Sequence, residues 1–204
     1  VEDNTSIEIN PSTDVHVRGA GSFNIVLNKG EVFLVQAKIT AQNEQPDLTG
    51  TEVISDKPVA VFSGQQRAKV PVNFATMTSR DFIVEQMLPI KTWGKNAFII
   101  PYVHPANATS DGDDLYRILI GTDNTTVSFN GISQGVFNKG EKIQRSINGA
   151  LTIEANGPIL VAEFKKTSQG SDTPSMIDPL SDPFMMLVPP KEQFMTDYSL
   201  VNIQ

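Results

Sequence analysis

The chain contains no cysteine, which excludes a disulfide framework and a Cys-ligated zinc site. Positive charge is scarce: 16 Lys and Arg stand against 23 Asp and Glu, for a net charge of −7. Nucleic acid and anionic bilayers repel such a chain, and Lys165-Lys166 is only a pair. No apolar run approaches the ~20 residues that span a bilayer, so no membrane insertion is expected. Helix signals are nearly missing; Arg80–Met87 has some helical spacing, which β-branched Ile83 and Val84 weaken. Catalytic signatures are missing too. There is no G-x-S-x-G and no P-loop, and the GAGSF run at Gly19–Phe23 is too short for a dinucleotide turn. The two histidines, His16 and His104, have no second His or Cys at ligand spacing. No enzyme activity and no tightly bound cofactor are expected.

What is present is repetition. DNTSIEIN at Asp3–Asn10 returns as DNTTVSFN at Asp123–Asn130, and LNKGE at Leu27–Glu31 returns as FNKGE at Phe137–Glu141. VISDKPVAVF at Val53–Phe62 returns as IEANGPILVA at Ile153–Ala162, and MLPIK at Met87–Lys91 as LVPPK at Leu187–Lys191. The order is preserved while the displacement shrinks from 120 to 100 residues, as when loops shorten between surviving strands. A period this long means two copies of one domain rather than a solenoid.

Short alternating runs bounded by Gly, Pro, Asn and Asp predict strands throughout. The first copy shows them at Ser6–Ile9, Phe23–Leu27, Val32–Lys38, Glu52–Ile54, Val59–Ser63 and Ile83–Leu88. The second shows Phe98–Val103, Tyr116–Gly121, Thr126–Phe129, Lys142–Ile147, Leu151–Glu154 and Ile159–Lys165, followed by Phe184–Val188 and Tyr198–Ile203. The fold class expected is all-β, with two tandem, internally duplicated β-sandwich-like domains, residues 1–94 and 95–204. Asn28-Lys29-Gly30 and Asn138-Lys139-Gly140 are hairpin turns that need positive φ at Gly30 and Gly140. Val59, Val61, Ile159, Val161, Phe98, Ile118, Ile120, Val127 and Phe129 are the expected core. The first copy starts without the strand that Tyr116–Gly121 gives the second, and Tyr198–Ile203 begins a further unit, so edge pairing between copies is a second expectation.

The best metal candidate is Ser110–Asp114, where Asp111, Asp113 and Asp114 offer hard oxygens suited to calcium. It lacks EF-hand spacing, and a solvated Asp/Gly turn is the favoured reading. Asn4, Asn107 and Asn124 head N-x-[ST] sequons, which matter only in a eukaryotic secretory pathway. Trp93 is the lone tryptophan, read as a core or inter-domain plug with a binding anchor as the alternative. Thr40–Thr49 and Thr167–Pro183 are long polar loops. The chain opens at Val1 rather than Met, as a processed or excerpted chain would.

Several blocks together carry a family likeness. DLTGTEVISDKPVAVFSG (Asp47–Gly64), SRDFIVEQMLPIKTWGK (Ser79–Lys95), DLYRILIGTDNTTV (Asp114–Val127) and DPFMMLVPPKEQF (Asp182–Phe194) resemble the N-terminal domain family of IgG-Fc-binding proteins, in order and over nearly the whole chain. Animal members carry cysteines after the FSG block; here Gln65-Gln66-Arg67 stands there, as in the bacterial branch. The resemblance implies an extracellular or cell-surface, non-enzymatic adhesion and recognition module. Its partner would be a protein or glycan ligand on a surface or in a mucus-like matrix. The alternative is a structural stalk segment of an extracellular fibre that self-associates through strand edges. No ligand-contacting residue follows from the resemblance.

Overall fold

The computed structural model describes residues 1–41, 46–71, 80–102, 114–147, 149–166 and 183–199. The described chain is all-β, with two single-turn 3-10 segments and no α-helix. The strands are β1 (Thr5–Asn10), β2 (Phe23–Leu27), β3 (Glu52–Ser55), β4 (Phe62–Ala68), β5 (Asp81–Gln86) and β6 (Gly94–Ile99). They continue as β7 (Asp114–Ile120), β8 (Thr125–Phe129), β9 (Ile132–Phe137), β10 (Lys142–Ile147), β11 (Leu151–Phe164) and β12 (Met185–Val188).

The second half is organised by one long strand. β11 pairs with β6 and β8 along its first residues, then with β7 and β12 along its last. The register shifts between Glu154 and Ile159, where Asn156-Gly157-Pro158 interrupts the ladder. A bulge there bends the strand and curls the single seven-stranded sheet over its core. Gly157 is needed because a Cβ would run into the Thr125 and Thr122 hydroxyls. The core comprises alternate residues of β7 (Tyr116, Ile118, Ile120), β8 (Val127, Phe129) and β11 (Ile153, Ile159, Val161), with Ala97, Ile99, Ile143, Ile147 and Val188.

The first half repeats part of this arrangement. Its sheet runs β2-β1-β3, and β4-β5 form a separate ribbon. Thr5 lies opposite Leu27 as Thr125 lies opposite Phe137, and Ile9 opposite Val53 as Phe129 lies opposite Ile153. The turns match in detail. Asn4 and Asn124 take φ of 55° and 56°, Gly30 and Gly140 take 84° and 83°. The Lys29 and Lys139 N–H groups donate to Asp3 and Asp123 Oδ1, both at 2.9 Å. The Ser6 and Thr126 N–H groups donate to Asp56 and Asn156 Oδ1, both at 2.8 Å. Buried Thr5 and Thr125 each donate a hydroxyl hydrogen bond to the carbonyl three residues back. One offset needs correcting. The 3-10 turns at Ile90–Thr92 and Lys191–Gln193 are entered from Pro89 and Pro190, so Trp93 corresponds to Phe194 rather than to Gln193.

Several expectations change. Val32–Lys38 carries no strand; only Ala37 makes an isolated bridge, to Val15. Val59 and Val61 are half-buried, not core, because residues 56–61 lie outside the strands that their counterparts in β11 extend through. Phe98 is 43% exposed, because the parity of β6 turns Ala97 and Ile99 inward. Leu151–Glu154 and Ile159–Lys165 merge into β11, and β9 forms where no strand was expected. The strand expected at Ile83–Leu88 is β5, displaced to Asp81–Gln86, and the weak helical spacing of Arg80–Met87 gives no helix. Ile159, Val161, Ile118, Ile120, Val127 and Phe129 are buried as expected. Tyr198 and Ser199 carry no strand, and residues 200–204 lie outside the described residues.

Candidate functional site

Three places concentrate unusual chemistry. The first is the seam where the first half meets β7 and β10. Arg117 projects outward from β7 and donates through Nη1 to Thr49 Oγ1 at 2.6 Å, with Asp47 Oδ2 at 3.2 Å. Its Nε and Nη2 donate to Gln144 at 3.0 and 2.5 Å, and its guanidinium lies 5.5 Å from the Phe164 ring centre. Lys142 reaches Asp47 Oδ2 at 2.6 Å, and Lys139 pairs with Glu52. Burial alone would raise the Asp47 carboxyl, but Lys142, Arg117 and Thr49 outweigh it and hold the group at about 2. Gly50, at φ 96°, approaches the Gly140 carbonyl so closely that a Cβ would sit 2.5 Å from it. Beside this seam runs an open groove of about 400 Å³ lined by Ser12, Asp47, Thr49, Phe137, Gly140, Glu141 and Lys142. The charges pair across the seam, so its role is fastening. Asp47→Asn is expected to lower stability at pH 7 by about 1 kcal/mol, the usual ceiling for a partly exposed ion pair. The Asp47 contribution is present above its ordinary value of 3.8 and is lost as pH falls through about 2. Thermal unfolding of both chains should therefore differ at pH 7 and converge near pH 2.

The second place is the acidic end of the core. Asp114 Oδ1 accepts the Lys166 N–H at 2.8 Å and Oδ2 the Tyr102 N–H at 3.1 Å. Glu163 sits on the same inner face as Val161, 2% exposed, with no hydrogen-bond partner for Oε1 among the described residues. Burial, then the Asp114 charge, pushes its carboxyl up to about 7. Burial and the Glu163, Asp114 and Glu85 charges push the Tyr102 hydroxyl up as well.

The third place is the outer surface of the first half. Val17 and Val32 are 87% and 91% exposed. Leu34, Ile39, Val26, Phe62 and Phe82 are also exposed. Val17 sits at φ 70°, in a tight loop closed by the Val15 and Gly19 backbones. Left-handed backbone is strained for a β-branched residue. Arg18 beside it lies 5.1 and 5.8 Å from the Phe23 and Phe33 ring centres, joining the loop to the Val32–Leu34 segment. A strained loop that holds an apolar side chain in water, on a half with further exposed apolar residues, is a candidate contact surface.

Of the calcium candidates, Asp111 and Asp113 lie outside the described residues, and Asp114 spends both oxygens on backbone N–H groups. His16 is exposed; His104 and Asn107 lie outside the described residues. Asn4 and Asn124 serve as left-handed turn residues. Trp93 is half-buried, donates its indole N–H to the Leu88 carbonyl at 2.8 Å and lies beside Gly121. Of the Thr40–Thr49 loop, residues 46–49 meet the seam. Asp47, Arg117, Lys142 and Glu163 escaped sequence reasoning. Asp47 and Arg117 lie inside the family blocks, and Glu163 was findable by parity with Ile159 and Val161.

The chain matches the protein-family model described as IgGFc binding protein over residues 1–203. No curated protein and no solved structure matches it.

Proposed function

Because the chain belongs to the IgGFc-binding protein family, we propose that it is a non-enzymatic extracellular adhesion and recognition module, exposed at a cell surface or secreted. Its ligand is a protein or glycan of a surface or mucus-like matrix. The observation that carries the reading is the strained Val17 loop, which Arg18 joins to Phe33, with Val32 and Leu34 exposed on either side of Phe33 in the chain. Such side chains are costly to leave in water and are the anchors a partner buries. The family description names a property of other members; whether this chain binds Fc is one arm of the test.

The test is surface plasmon resonance of the 204-residue chain against immobilised IgG Fc and purified mucin, with a glycan array alongside. Leu34→Asp is expected to weaken any interaction found by about tenfold or more while the thermal midpoint stays put. Val17→Gly should relax the backbone and leave stability equal or higher by about 1 kcal/mol, yet lose affinity. Binding to a ligand that neither substitution disturbs would place the contact elsewhere. Turnover of a peptide, ester or glycoside substrate would overturn the non-enzymatic reading.

A further inference from the structure

In the second half β7 has two ladder neighbours, β10 and the last residues of β11. By the repeat, their counterparts in the first half are residues 32–37 and 59–64. Residues 32–37 alternate between half-buried (Phe33, Val35, Ala37) and exposed (Val32, Leu34, Gln36), as a strand does, without joining a sheet. β7 is fastened at one end by Gly140 N–H to the Ile120 carbonyl, 2.9 Å, and Ile120 N–H to the Glu141 carbonyl, 3.0 Å. The counterparts Gly30 N–H and Glu31 carbonyl make no backbone hydrogen bond among the described residues. Across the slot, the Val61 carbonyl accepts the Met87 N–H at 2.8 Å. Strand alternation then aims the N–H groups of Ala60 and Phe62 the other way, into the slot. The Phe62 side chain is 64% exposed. β3 is open as well: its counterpart in β11 pairs with both β8 and β6, whereas among the described residues β3 pairs with β1 alone.

We propose that the first half is an acceptor for a β6–β7-type strand pair from another copy of this repeat. The β7-like strand enters antiparallel between residues 32–37 and 59–64, and the β6-like strand adds to β3. The occupant is specified by the occupied slot in the same molecule: an extended segment of the Asp114–Ile120 pattern, apolar at alternate positions on the side facing the core. Backbone pairing supplies the affinity and the apolar alternation supplies the register. The inference rests on the equivalence of the two halves, which the equal registers and turn bonds support, and it is independent of which ligand the outer surface takes.

The test uses the full chain in two forms. In one, a second copy of residues 94–120 is fused directly to Val1, which stands where Gly121 follows β7. In the other, a synthetic Asp114–Gly121 peptide is added to the unmodified chain. Amide hydrogen exchange is read at Phe33–Gln36, Ala60 and Phe62, with Ile118 and Val161 as internal references. Exchange at the slot is expected to slow by about tenfold or more and the thermal midpoint to rise. Protection by fusion alone assigns the donor to the same chain; protection by the peptide as well shows that another chain can donate. Ala60→Pro removes a slot-facing N–H and should abolish the gain while β4–β5 amides stay protected. If the fused chain fails to fold, as reported by the Ile118 and Val161 amides, the peptide arm decides. Unchanged slot exchange with the peptide and in a folded fusion, or equal protection by a scrambled peptide, overturns the proposal.

Discussion

Replacing Ile118 by alanine is expected to lower the unfolding free energy by about 2–5 kcal/mol. Ile118 is fully buried in the middle of β7, opposite Val161 on one side and Ile143 on the other. Its neighbours belong to strands held in ladders, so they cannot collapse into the space left behind. The lost transfer energy and the cavity therefore add. Val61→Ala is the contrast. Sequence pattern makes Val61 the twin of Val161, yet it is half-buried and lies outside the strands. Its replacement should cost under about 1 kcal/mol. Chemical denaturation of the two substituted proteins measures both. A midpoint unmoved by Ile118→Ala, or moved equally by the two, would refute the assignment of the core to the second half.

Glu163→Gln is expected to stabilise the protein in alkaline solution and leave it nearly unchanged in acid. Glu163 stands on β11 opposite Tyr116 of β7 and Met186 of β12, with Asp114 near and Tyr102 sharing the same acidic field. Among the described residues its Oε1 has no partner. The folded carboxyl titrates at about 7, against an ordinary value of 4.5. Below 4.5 the group is neutral in both states and its contribution is fully present. Between 4.5 and 7 the unfolded chain ionises while the folded chain holds its proton. Stability then falls by about 1.4 kcal/mol per pH unit, about 3 kcal/mol in all. Above 7 the folded chain carries a buried, poorly solvated charge. Glutamine removes the titration and fills the same space. Thermal unfolding from about pH 4 to 8 should show a wild-type midpoint that declines with pH more steeply than that of Glu163→Gln. Parallel pH profiles would mean the carboxylate finds water or a cation and is not held in apolar surroundings.

Local chemistry specified a great deal about this chain. Alternation in TSIEIN and KIQRSI marks β1 and β10, because a half-buried strand needs period two whatever it pairs with. Asn-Lys-Gly twice required a left-handed glycine, and both glycines adopt it. Blocks shared with a family placed Asp47 and Arg117 in one motif set before their ion pair was visible. β9 escaped because Ser133, Gln134 and Gly135 dilute its pattern; only its match to β2 in the repeat marks it. Phe98 escaped because a one-residue difference in register reverses the face, and register is set by the partner.

The deepest difference between the halves lay outside any local reading. VAVFSG and ILVAEF carry the same signal, and so do VFLVQA and KIQRSI. One member of each pair is a core strand; the other is extended chain outside the ladders or an edge of a two-stranded ribbon. A strand is completed by hydrogen bonds from residues far away in sequence, so its fate depends on whether the partner is present. β7 stands between β10 and β11 and makes both of them sheet. Among the described residues its counterpart is absent from between residues 32–37 and β4, and there the same pattern remains exposed. Residue pattern alone establishes which segments are able to be strands and where the chain must turn. Which of those segments find a neighbour is settled by the folded arrangement, because burial and backbone pairing are properties of the assembled sheet and not of the segment.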